Sequence, residues 1–159
     1  VFIGKRVLDA ELTESGRIPV YSANVFEPFG NIDKYFITDF DVPSVIWGID
    51  GDWMVNYLSA HKPFYPTDHC GVIRVKAGEI LPRYLAWVLN KEGTEKGFSR
   101  NFRASVNRIQ GLSIKVPPLA EQQKITAEIE KLEDEIQNSQ KLLEQAISQK
   151  ELCLKYYPQ

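Results

Sequence analysis

The pattern of apolar and polar positions changes at Pro117-Pro118. Before that point, short apolar runs are broken by Gly, Pro, Asn and Asp, as strands joined by turns require. From 119 to 157 there is no Gly and no Pro, and apolar residues recur at helical spacing. The two patterns predict an α+β chain: a mixed α/β domain over 1–118, followed by one long C-terminal coiled-coil helix over 119–159.

Within 1–118, Gly30-Asn31 reads as a turn and Tyr35–Thr38 as a β-rich run after it. Ser44–Ile49 and Trp53–Leu58 are apolar runs on either side of Asp50-Gly51. That spacing predicts a hairpin with a tight type I′ turn, because such a turn needs positive φ at both central positions. Gly71–Val75 is a further strand. Pro82 opens a helix over 83–90, with Leu81, Leu85, Val88 and Leu89 at helical spacing and Gly93 as its stop. Residues 108–116 alternate again, as a strand would.

After Pro118 the seam is explicit. Ile125, Ile129, Leu132 and Ile136 are spaced 4, 3, 4; Ser139 holds the frame as a polar residue; Leu143 and Ala146 restore it; Lys150 interrupts it; Cys153 and Tyr157 close it. Ile147 and Leu154 lie beside the seam and widen it. This is a heptad repeat of 3.5-residue period. A helix of this length, roughly 57 Å at 1.5 Å per residue, cannot bury the seam on itself. We expect a partner helix, and a homodimer through this element; the alternative is a helix lying back along 1–118.

Composition narrows the class. The chain has 159 residues, enough for one domain plus an extended element, and its 18 aromatics are far too many for a disordered chain. The longest apolar run is Tyr84–Leu89, well short of the ~20 residues that span a membrane, and Val1–Arg6 does not open a signal peptide. Cys70 and Cys153 cannot make a disulfide framework, so the expected location is cytoplasmic. The missing start Met suggests a fragment or a trimmed chain.

The net charge of −2 argues against nucleic acid until it is divided. Residues 1–70 hold 5 basic and 10 acidic side chains, 71–118 hold 9 and 3, and 119–159 hold 5 and 8. The middle block alone is basic. In it Arg100, Arg103 and Arg108 fall within nine residues that contain no acid.

Catalytic patterns are absent: no G-x-G-x-x-G, P-loop, G-x-S-x-G or H-E-x-x-H occurs. Asp68-His69-Cys70 lacks the separated ligand pairs of a zinc site. His61 reads as a loop residue, and Asp50 and Asp52 as turn residues. The donors suited to DNA are Arg100, Asn101, Arg103, Ser105, Asn107 and Arg108, with Tyr21, Asn24 and Lys62 as a second group. Arg forks onto guanine or phosphate, Asn onto adenine, and Ser donates to phosphate. Among these, Asn101 and Asn107 are the candidate base readers.

Several segments in order resemble one family: Ile18-Pro19-Val20-Tyr21-Ser22-Ala23-Asn24, Asp68-His69 before a strand, Tyr84–Leu89, Asn107-Arg108-Ile109, Leu112-Ser113-Ile114, and Val116-Pro117-Pro118-Leu119-Ala120-Glu121-Gln122-Gln123-Lys124-Ile125. They are similar to the specificity (S) subunit of type I restriction-modification systems. The resemblance implies a target-recognition domain that reads a half-site in double-stranded DNA. It also implies a helix paired antiparallel with a second one. Such a subunit docks methyltransferase (M) subunits, which methylate adenine using S-adenosylmethionine, and works with a restriction subunit where one exists. The S subunit itself binds no cofactor and is not an enzyme. A full S subunit holds two recognition domains and two helices, whereas this sequence has one of each. It is therefore expected to be a half-subunit that dimerises, the tail of a longer chain, or the specificity end of a fused restriction-methylation enzyme. The alternative is a coiled-coil assembly module without DNA binding.

Overall fold

The computed structural model describes residues 1–76 and 78–156. Seven strands and three α-helices follow in the order β1 (Phe2–Ile3), β2 (Ile18–Tyr21), β3 (Gly30–Ile32), β4 (Ser44–Gly48), β5 (Val55–Leu58), β6 (Tyr65–Pro66), β7 (Cys70–Arg74), α1 (Pro82–Lys96), α2 (Val106–Gln110) and α3 (Leu119–Tyr156). Backbone contacts divide the chain into two units, Val1–Gln122 and Gln123–Gln159.

In the first unit, an antiparallel sheet runs β1-β7-β4-β5. Its centre is β4, where all five residues are buried. A strand paired on both edges and covered on both faces must read as a continuous apolar run, and Val45-Ile46-Trp47 does. Ile46 and Val72, which face each other in the β4–β7 register, join Val25, Ile37, Phe64 and Cys70 in one core cluster. A second sheet, β3-β2-β6, carries its own cluster of Ile18, Val20, Ile32 and Tyr65. Burial pushes the Cys70 thiol up to about 12, so it stays protonated and acts as a small apolar side chain.

Helix α1 packs on β4 and β5 through Tyr84, Leu85, Val88 and Leu89. Its Pro82 occupies the first turn, as expected. Gly93 is not the stop. It lies inside the helix, and a Cβ there would meet the Trp53 ring at 2.3 Å. The notch lets the indole lie against the helix and donate from Nε1 to the Asn90 carbonyl at 3.0 Å. The helix ends at Gly97, with φ of 80°.

Other sequence expectations are corrected. Gly30-Asn31 is the start of β3, paired with Val20 and Pro19, not a turn. Tyr35–Thr38 forms no strand: its rings are spent on packing, Phe36 against Phe2 and Tyr65, and Tyr35 against Phe40. β4 and β5 do form an antiparallel pair, but the connection spans residues 49–54 and only Gly51 has positive φ. Residues 108–116 are not a strand. They begin in α2 and continue as extended chain without a sheet partner among the described residues.

The second unit is helical through Tyr156. Within it Leu132, Ile136, Leu143, Ile147 and Leu154 are exposed, as are Leu142 and Leu152, which the heptad reading passed over. Ala146 is exposed, while Ile125 and Ile129 are half-buried. Ser139 caps back onto the Glu135 carbonyl at 2.8 Å, so its hydroxyl is satisfied on the helix itself. Tyr157, read as the end of the seam, lies outside the described residues.

Candidate nucleic-acid interface

Four loops of the first unit converge at the end of β4. The 49–54 connection follows β4 directly. The 22–25 segment crosses Gly48 so closely that a Cβ there would meet the Ala23 carbonyl oxygen at 2.3 Å. Thr67 ties the 67–69 turn to the first segment through Ser22, at 3.1 Å between hydroxyls, and Ile49 donates to the His69 carbonyl at 3.0 Å. The fourth loop, 98–105, is pinned by backbone: Ala104 N–H donates to the Ile49 carbonyl at 3.2 Å, and Trp47 Nε1 donates to the Ala104 carbonyl at 2.7 Å. Both Trp47 and Ala104 are buried.

Aromatic packing stiffens the fourth loop. Phe98 lies between Trp53 and Phe102, with ring centroids 5.1 and 5.5 Å away. Ser99 and Phe102 exchange backbone hydrogen bonds at 3.0 and 3.1 Å, closing a tight turn that displays Arg100 and Asn101. Both are exposed, and neither side chain has a partner among the described residues. Arg108 stacks on the Phe102 ring at 4.1 Å and donates to the Arg103 carbonyl at 2.7 Å. A cation held over a ring face keeps its outer N–H groups available.

Asp50 is the hub. One carboxylate oxygen pairs with Arg103 Nε and the other with His69 Nδ1. His69 Nε2 lies 3.9 Å from Asp68. Burial pushes the Asp50 carboxyl up, but the hydrogen bonds and charges of His69 and Arg103 outweigh it, so it sits below the ordinary carboxylate value. The sequence reading treated Asp50 as a turn residue and missed this role. The only signal available was an acid beside a hairpin Gly, which by itself means a turn.

The structure brings together Arg100, Asn101, Arg103, Ser105, Asn107 and Arg108, because all lie on this loop or on α2 directly after it. Ser105 is the N-cap residue of α2 without a side-chain cap bond, and Asn107 is exposed. Asn24 is committed locally: its side-chain oxygen accepts the Phe26 and Glu27 N–H groups at 3.0 and 3.2 Å. Tyr21 and Lys62 instead line a pocket of about 250 Å³ with Pro19, Leu58, His61, Pro63 and Phe64. Burial, with Cys70 nearby, raises the Tyr21 hydroxyl above its ordinary value.

The basic block is thinner at the surface than its count suggests. Arg74 is bound to Ser44 and Asp39, and Lys91 to Glu92 and Glu95. Among the described residues no group of three or more His, Cys, Asp or Glu is placed to hold a metal, and no helix is long and apolar enough to cross a membrane.

The first unit thus carries a loop-built cluster of arginines at the end of the central strand of an antiparallel sheet, and the same chain continues into a long amphipathic helix. Residues 1–147 match the family of type I restriction modification DNA specificity domains, and the chain belongs to that family. Over 115 residues, 70% of this chain, it is 32% identical to a Mycoplasma pneumoniae protein whose name assigns it as a type I specificity subunit. The crystal structure of the type I restriction-modification S subunit from M. genitalium shares the fold over 89% of this chain, with a TM-score of 0.63 and 20% identity. The chain spans about a third of each, 31% of the first and 38% of the second.

Proposed function

We propose that residues 1–118 read a half-site in double-stranded DNA, and that the helix from 119 pairs with a second such helix within a type I restriction-modification complex. The observation that carries this is the 98–108 segment. Arg100 and Arg103 are displayed on a loop that the core tryptophan Trp47 anchors through Ala104, and Arg108 follows on α2. A rigid loop with exposed forked donors suits base and phosphate contacts.

In this reading the chain contributes no catalytic group and binds no cofactor. Modification subunits dock on it, bind S-adenosylmethionine and methylate adenine. The heptad seam supports pairing, because Leu132, Ile136 and Leu143 are exposed apolar residues on one continuous helix. With two identical helices the site read is symmetric and split, since the target mirrors the protein's symmetry. The net charge of −2 suggests that the modification subunits supply many of the phosphate contacts.

The experiment is duplex binding by the protein alone and together with a type I methyltransferase (M) subunit. The expected result is salt-dependent, sequence-selective binding that strengthens in the complex. Binding of the methyltransferase without any effect on DNA selectivity would favour a pure assembly module instead.

A further inference from the structure

Asp50 stands where an acid is least expected, on the face that presents the basic loop. Its pairing with Arg103 contributes little stability: the Arg103 side chain is 59% exposed, and solvent screens an exposed pair. What the pairing does is geometric. The carboxylate cannot rotate, because its second oxygen is held by His69. The Arg103 backbone cannot drift either. Its carbonyl accepts from Arg108 Nη1 at 2.7 Å and from Ser105 N–H at 3.0 Å, and the next residue is the buried anchor Ala104.

The contact also leaves part of the guanidinium available. Asp50 pairs at Nε, and no other residue pairs with the Arg103 side chain among the described residues. An arginine used only for phosphate gains from its net charge, which a paired carboxylate cancels. An arginine used for a base edge gains from direction, which the same carboxylate supplies. Guanine offers two neutral acceptors, O6 and N7, spaced for two parallel N–H donors.

We propose that Arg103 reads one guanine of the target through its two Nη nitrogens, and that Asp50 is the positioning residue that aims it. This rests on the DNA-recognition reading and adds to it one base and one residue outside the basic patch. Asp50 also disfavours a phosphate at the same point by like-charge repulsion, so the site discriminates as well as attracts.

The test is selection from a randomised duplex library by the protein together with a type I methyltransferase subunit, comparing wild type with Arg103→Lys, Asp50→Ala and the double variant, each checked by its melting temperature to be folded under the assay conditions. Arg103→Lys, at an exposed position, keeps the charge and loses the fork. The expected result is loss of guanine preference at one and the same position in both single variants, by about 10- to 100-fold. The double variant should be no worse than Arg103→Lys, because both changes remove one device. Preference retained in the single variants, or a uniform loss of affinity without loss of preference, overturns the guanine assignment and leaves DNA recognition standing. A wild-type protein that enriches no motif overturns both.

Discussion

The Gln122 side-chain oxygen accepts the Leu81 N–H at 2.8 Å, across 41 residues of sequence. The amide nitrogen of the same residue donates to the Glu79 and Pro117 carbonyls, each at 2.7 Å. Gln122 is fully buried, so one side chain satisfies a donor just ahead of α1 and two acceptors outside any helix. This gives the Gln of the Pro-Pro-Leu-Ala-Glu-Gln run a physical task.

Removing that side chain leaves buried polar groups without partners. Gln122→Ala should destabilise the first unit by several kcal/mol, at about 1–3 kcal/mol per orphaned group. Gln122→Glu should be at least as damaging, since it keeps the acceptor, loses both donor bonds and buries a charge. Urea unfolding followed by tryptophan fluorescence checks both; an Ala variant as stable as wild type would contradict the role.

Trp47→Phe tests the anchor of the 98–105 loop. The ring's apolar body is largely kept, but the Ala104 carbonyl loses its indole partner. We expect a cost of about 1–3 kcal/mol. Amide hydrogen exchange at Ala104 should accelerate far more than at Val45 in the centre of β4. Equal acceleration at both would mean that the loss is global.

Acid should weaken the loop cluster through Asp50. Its carboxyl lies lower in the folded protein than in the unfolded chain, because His69 and Arg103 outweigh its burial. The stabilisation is therefore fully present above the unfolded value of about 4 and is lost as pH falls through the lower folded value. Asp50→Asn should flatten the stability–pH curve on the acid side of the unfolded value of about 4.

Arg100 and Arg108 should behave differently. Arg100 has no intramolecular partner among the described residues, so Arg100→Ala should leave stability unchanged. It should flatten log K against log salt by about 0.9 for a lost phosphate contact. Arg108 packs on Phe102 and holds the Arg103 carbonyl, so Arg108→Ala should also loosen the loop. Fluorescence anisotropy at several salt concentrations, paired with thermal melts, separates the two.

The helix seam is tested by charge. Ile129→Asp with Ile136→Asp places two carboxylates on the predicted contact line. Sedimentation equilibrium should show a smaller assembly than wild type; an unchanged mass would remove the partner helix.

Local signals were readable in advance and long-range ones were not. α3 follows from a period repeated along its own sequence, and β4 from a short apolar run whose burial on both faces needs no knowledge of its neighbours. Gly93 was misread because its reason is the Trp53 ring, which comes from another part of the chain. Tyr35–Thr38 had strand-like residues whose rings were claimed by tertiary packing instead. The arginine loop was legible as composition. That Asp50 and His69 meet Arg103 was not, because nothing local distinguishes a turn aspartate from one that orients a distant guanidinium.

At Ala104 and at the Ser99–Phe102 turn the 98–105 loop is held through its own main-chain atoms, and the side chains that pack it are Phe98 and Phe102, not those at 100 and 101. Main-chain bonds are indifferent to which side chains stand at 100 and 101. The loop thus separates the cost of holding its shape from the choice of what it displays. New reading residues can be installed at those positions without refolding the support beneath them, so the same framework can be turned from one target to another by a few surface replacements.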